Sequence, residues 1–96
     1  MGPGYDARLA TPDEALRPRL HGTTYDRMWK TAIRADADLV TITSYNEWHE
    51  GTQIEPARSD RGGYESYEGA WGLSGTAAET AYLDRTAYWV NRLIRG

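Results

Sequence analysis

"LVTITSYNEWHEGTQIEP", Leu39 to Pro56, changes character halfway along. Leu39 to Ser44 is short, β-branched and without strict alternation, which reads as a strand covered on both faces, as in a parallel sheet. From Asn46 onward, eleven residues hold three carboxylates, an imidazole, an indole and two amides. A strand of this kind needs neighbours on both sides, and the rest of the chain offers at most a stub at Gly2 to Tyr5.

The flanking segments fit an alternating fold. "MGPGYD" opens with two Gly and one Pro and reads as the end of a strand turning into a loop. Ala7 to Gly22 is polar, and Pro12 and Pro18 discourage regular structure there. Tyr25, Met28, Trp29, Ala32 and Ile33 share one face at helical spacing and predict a helix over Tyr25–Ala35. Thr24 is its expected N-cap, and Asp26 favours the positive end of the helix dipole. The glycine-rich stretch Pro56–Gly75 reads as a long loop. Thr76 and Glu79 have capping-box spacing, followed by apolar pairs that predict a last helix over Ala77–Arg95.

Strand end, loop, helix, strand, loaded loop, helix is the tail of a β/α alternation. The expected class is α/β: the C-terminal portion of a (β/α)8 TIM-type barrel, its last two β/α units, incomplete on its own. A full barrel takes ~250 residues. Residues 1–96 then form a single partial catalytic domain, with an independent small α/β domain as the alternative.

Composition excludes several functions. Fourteen acidic and eleven basic residues leave a net charge of −3, and the arginines are scattered, so no basic stripe invites nucleic acid. With no Cys, disulfides and thiolate metal sites are ruled out. The start has neither a basic leader nor an apolar core, so no signal peptide is expected. No apolar run approaches the ~20 residues that span a bilayer. Four Trp and seven Tyr with no Phe suit a core beside a wet cleft or a sugar-binding surface; most are expected in the core.

In barrels of this class, chemistry sits on loops after the C-terminal ends of strands, the address of Tyr45–Glu55. Glu47 and Glu50 are three residues apart, and on a helical turn their Cβ atoms would lie ~5–6 Å apart. Carboxylates that close push their ionisations apart, which separates an acid from a base as glycoside cleavage requires. Two other readings stay open. Glu47, His49 and Glu50 could ligate a metal, although "HEGTQ" lacks the second His of helical zinc sites and the loop lacks a calcium pattern. Alternatively, the acids are solvated, Trp48 anchors the surface, and Glu55 only ties the loop down. His49 reads as a packing residue behind the acids, and His21 carries no signal.

"TITSYNEWHEGTQIEPA" closely resembles the signature of the endo-α-mannosidase family, glycoside hydrolase family 99. "PGYD" at Pro3–Asp6, "TYDRMW" and "YLDRTAYWV" extend the resemblance over essentially the whole chain, matching the C-terminal portion of a family member. A related bacterial polysaccharide-associated group carries a looser "NEWxEG"; "TQIEP" favours the first family. The resemblance implies retention without an enzyme nucleophile, through a 1,2-anhydro sugar. Glu47 matches the base on the 2-hydroxyl and Glu50 the general acid/base. Asn46, Tyr5, Tyr45, Trp48 and His49 are the substrate-binding candidates. The implied substrate is a mannose-containing oligosaccharide or polysaccharide cleaved at internal α-1,2 linkages, with no cofactor and no metal, in an extracytoplasmic setting. Many members carry Arg-Pro soon after "PGYD"; here Thr11-Pro12 takes its place, with Arg8 displaced, so no arginine is assigned to sugar binding. A non-catalytic carbohydrate-binding or structural remnant of the same fold is the alternative.

Overall fold

A computed structural model describes residues 1–6, 16–47, 51–57 and 66–95. Strand β1 (Tyr5–Asp6) pairs antiparallel with β2 (Leu16–Arg17), Tyr5 opposite Arg17 and Asp6 opposite Leu16. That pairing falls where Ala7–Gly22 was expected to be irregular. A 3-10 turn, Leu20–Gly22, then leads into helix α1, Thr23–Arg34.

The helix forms where its apolar period predicts it, but its start is built differently. Gly22 occupies the N-cap position at φ 99°, and no side chain caps the turn. Thr24 is inside the helix, and its hydroxyl donates to the Pro18 carbonyl instead. Gly22 is required twice over: its φ is left-handed, and an added Cβ would lie 2.3 Å from the Trp71 ring. At the other end, the Asp36 and Ala37 N–H groups bond back to the Ile33 and Ala32 carbonyls at 3.0 and 3.3 Å, with Asp36 at φ 54°. An Asp thus fills the left-handed position that glycine usually takes when a helix ends.

The last helix is broken into α2 (Gly75–Glu79) and α3 (Ala81–Arg95) at Thr80. The expected capping box does not form. Ser74 is the N-cap without a side-chain bond, and Thr76 already lies within the helix.

The apolar faces of α1 and α3, Tyr25 and Trp29 on the first and Tyr82 and Trp89 on the second, meet each other. Trp29 and Trp89 stack with ring centroids 6.3 Å apart and planes 7° from parallel. Tyr25 packs against Trp29 at 6.2 Å and against Tyr82 at 5.6 Å. Tyr67 closes on the other side of Tyr82 at 4.8 Å. Ala57, Tyr67 and Ala70 are all buried in this core, so the described part of Pro56–Gly75 is core as much as loop.

Leu39–Ser44 does not form a regular strand. Its main chain nevertheless bonds to the N-terminal stub: the Met1 ammonium donates to the Thr41 carbonyl at 3.3 Å and Thr43 N–H to the Met1 carbonyl at 2.8 Å. Two such bonds straddling Ile42 are the pattern of a parallel pair. The expected cover on both faces is absent: Val40 and Ile42 pack against the core, whereas Leu39 is 80% exposed and Thr41 and Thr43 are exposed. Among the described residues its main-chain neighbours are the stub, on either side of Ile42, and Thr52 at Ser44.

Candidate active site

The chain leaves Ser44 and returns to the same place eight residues later. Ser44 N–H donates to the Thr52 carbonyl at 2.8 Å, and the two hydroxyls bond at 2.8 Å. Ser44 Oγ also accepts the Glu47 N–H at 3.0 Å, while the Tyr45 carbonyl accepts from Ile54 and Glu55 N–H at 3.1 and 2.9 Å. The small hydroxyl residues at the two ends thus close the loop, and Ser44 Oγ satisfies the Glu47 N–H.

This closure sorts the loop by exposure. Tyr45, Asn46 and Glu47 stand in solvent, whereas Gly51, Thr52, Gln53 and Ile54 are buried. Of the predicted site residues, Tyr45, Asn46 and Glu47 come together at the exposed turn. Trp48, His49 and Glu50 lie outside the described residues, so the helical spacing expected for Glu47 and Glu50 does too. Arg8, Thr11 and Pro12 also lie outside them.

Tyr5 belongs to the same neighbourhood. Gly51 sits at φ 66°, and a Cβ there would lie 2.8 Å from the Asp6 carbonyl oxygen and 2.9 Å from its nitrogen. The "PGYD" segment therefore runs directly beneath the loop, which puts half-buried Tyr5 on the strand that abuts it. Glu55 ties the loop down through its main chain, its N–H on the Tyr45 carbonyl and its own carbonyl accepting from the Tyr67 hydroxyl at 2.8 Å.

Two residues that sequence reading passed over hold the buried half. Arg19, 6% exposed, donates from Nη2 to the Gly51 and Gln53 carbonyls at 3.1 and 2.8 Å. Its guanidinium lies 4.6 Å from the Tyr82 ring centre and 5.1 Å from that of Tyr67. The Tyr67 hydroxyl donates to the Gln53 carbonyl at 3.0 Å, and burial pushes its pKa well above the ordinary tyrosine value, against the nearby Arg19 charge. It therefore remains a hydrogen donor across the working pH range. Gln53 itself is fully buried, and its amide has no partner among the described residues.

Among the described residues, which do not include His49 and Glu50, no group of three or more His, Asp or Glu gathers as a metal cradle. None of the described helices is long and apolar enough to cross a membrane. A cleft of about 670 Å3 is lined by Met1, Leu16, Arg17, Leu20, Arg27 and Met28 among others, with no residue of the loop. Glu47 therefore stands at an open surface and outside this cleft.

Residues 1–95 match the model of Glycosyl hydrolase family 99. A glycoprotein endo-alpha-1,2-mannosidase of Rattus norvegicus is 42% identical over 86 residues, covering 88% of this chain and 15% of that protein. An endo-alpha-1,2-mannosidase-like protein of Danio rerio is 45% identical over 58 residues, 58% of this chain and 13% of its own length. A solved family 99 endo-alpha-mannosidase from Bacteroides thetaiotaomicron superposes with a TM-score of 0.79 at 42% identity, over 99% of this chain and 27% of that one. The chain therefore spans about a seventh of these two curated relatives and about a quarter of the solved enzyme.

Proposed function

The chain belongs to glycosyl hydrolase family 99, and from that premise we propose that it is the C-terminal portion of a (β/α)8 barrel, its last two β/α units, bearing the acid/base residues of an endo-acting α-mannosidase. The observation that carries this reading is the loop clipped between Ser44 and Thr52, which presents Asn46 and Glu47 to solvent directly after a segment in parallel hydrogen bonding with the N-terminal stub.

In this reading the substrate is an internal α-1,2-mannosidic linkage of an N-glycan or mannan. The axial 2-hydroxyl lies trans to the leaving group. Glu47 removes its proton, O2 attacks C1 from the back, and the bond to the leaving oxygen breaks as Glu50 protonates that oxygen. The product of this step is a 1,2-anhydro sugar. Glu50, now a carboxylate, takes a proton from water, which opens the ring at C1; O2 recovers its proton from Glu47. Two inversions at C1 give net retention. General acid/base assistance typically contributes ~10²–10⁴-fold per group. Asn46 orients Glu47 or the 2-hydroxyl, Tyr5 and Tyr45 border the sugar, and Trp48 and His49 complete the substrate-binding set.

The aromatic richness that motivated a non-catalytic sugar-binding reading goes largely into the core, where Tyr25, Trp29, Tyr67, Tyr82 and Trp89 are buried. The test is Glu50→Gln in the complete barrel. Cleavage of unactivated substrates is expected to vanish while binding of manno-oligosaccharides, followed by calorimetry, survives. Near-normal turnover of that variant would refute the assigned acid. Binding without product in the unsubstituted barrel would establish the remnant instead.

A further inference from the structure

The geometry points to Arg19 and Tyr67 as positioning residues for the acid-bearing loop, acting through the main-chain carbonyls of Gly51, Gln53 and Glu55. This inference rests on the assignment of Glu47 and Glu50 above. It adds two residues that act through the main chain of the loop.

The carbonyls at 51, 53 and 55, alternate positions along the closing arm of the loop, are each taken by one of these two side chains. Arg19 Nη2 spans the first two, and the Tyr67 hydroxyl shares its single proton between the last two. Gln53 O accepts from both, at 2.8 and 3.0 Å, which ties the two clamps together. Gly51 directly follows Glu50, so Arg19 fixes the main chain one residue from the proposed acid.

A buried cation is an expensive way to fill space. The Arg19 partners among the described residues are two carbonyls and the faces of Tyr67 and Tyr82. An apolar side chain would fill that volume more cheaply but would not dictate the path of Gly51–Gln53. Fixing that path matters because a displacement of ~1 Å at a reacting group can cost ~10²-fold in rate. Arg19 also lies just ahead of α1, and Tyr67 packs on Tyr82 of α3. The clamp therefore references the loop to the same aromatic core that joins the two helices.

The experiment uses Tyr67→Phe and Arg19→Lys in the complete barrel, with Glu50→Gln alongside. Tyr67→Phe keeps the ring, and with it the packing and the cation–π contact, so folding is expected to survive. Both variants should lower kcat at least tenfold while KM stays within about twofold, because the acid is misplaced and the sugar subsites are untouched. The limb of the pH–rate profile that reports the acid should move with them, which a loss of folded protein alone does not produce. Normal kcat per folded molecule and an unmoved pH profile in Tyr67→Phe, with Glu50→Gln inactive, would overturn the clamp and leave the acid assignment standing. Normal turnover in Glu50→Gln would remove the assignment, and the clamp with it.

Discussion

Asp26 on α1 and Arg85 on α3 form a two-pronged ion pair, Nε on Oδ1 and Nη2 on Oδ2, both at 2.8 Å. The Trp89 indole N–H adds a bond to Oδ1 at 2.7 Å and that of Trp71 one to Oδ2 at 2.9 Å. One carboxylate thus gathers α1, α3 and the 3-10 turn at Ala70–Gly72, while the Arg85 guanidinium lies 4.5 Å from the Tyr88 ring centre. The Asp26 side chain is 15% exposed and that of Arg85 30%, so solvent screens the pair only in part. Charge-assisted, bidentate bonds are the strong ones. Asp26→Asn keeps the shape and removes the charge, and is expected to cost about 2–3 kcal/mol. Arg85→Lys keeps the charge and loses the fork, costing about 1 kcal/mol. Urea midpoints of the two variants check the order; equal midpoints would refute it.

Stability should fall with acid through the same group. Burial alone would raise the Asp26 pKa, but the bonds from Arg85, Trp71 and Trp89 outweigh it and hold the carboxyl below its ordinary value. As pH drops below the unfolded carboxylate value of ~3.9, the unfolded chain takes up a proton that the folded one still refuses, so acid favours unfolding. The Asp26 contribution is complete above that range and is lost as pH falls through the depressed folded value. Urea midpoints measured between pH 6 and pH 2.5 should decline more steeply for the natural chain than for Asp26→Asn. Parallel declines would show that other acids dominate.

The two ends of α1 show what was legible and what was not. Tyr25 and Trp29 announce a helix by spacing alone, since that period survives whatever they pack against. Thr24 as a cap was an inference from local chemistry, and a buried hydroxyl with the Pro18 carbonyl in reach answered to the fold instead. The Leu39–Ser44 reading captured a preference for extended chain; cover on both faces is a property of neighbours, which β-branching does not encode. The loop motif was legible because its polar residues crowd into eleven positions. Arg19 was not, because its carbonyl partners lie 32 and 34 residues away and no periodicity links them. Tyr67 sits in a glycine-rich stretch whose composition says loop, and only the contact with Tyr82 makes it core.

Two glycines at similar backbone angles should respond differently to alanine. Gly22 at φ 99° would drive a Cβ to within 2.3 Å of the Trp71 ring, whereas at Gly72, φ 76°, an added Cβ meets nothing within 4 Å. Gly72→Ala carries only the left-handed penalty of about 1–2 kcal/mol. Gly22→Ala adds displacement of Trp71, whose indole bonds Asp26, and should cost about 1–3 kcal/mol more, as overpacking does. Thermal melts of the two variants, with Trp fluorescence reporting the Asp26 cluster, test this. A Gly22→Ala melt no lower than that of Gly72→Ala would contradict the packing around Trp71.

The isolated 96-residue chain should fold around the α1–α3 aromatic core yet fail to remain a clean monomer. The two helix faces cover one another and give it a core. Among the described residues, Leu39–Ser44 bonds to the Met1 stub along one side, with Leu39 80% exposed. A β-branched segment with an open edge invites pairing with another chain. Exposed Leu83, Val90 and Ile94 on α3 add apolar surface of their own. Catalysis should also be absent, because Glu47 stands in open solvent and acids act on a sugar only when other residues hold it. Size-exclusion chromatography across concentrations should show an elution volume that shifts toward larger species. Hydrogen exchange should be slow in α1 and α3 and fast across Leu39–Ser44 at low concentration, slowing there as the chains associate. A sharp, concentration-independent monomer peak with slow exchange through Leu39–Ser44 would sink this expectation and establish a self-sufficient module.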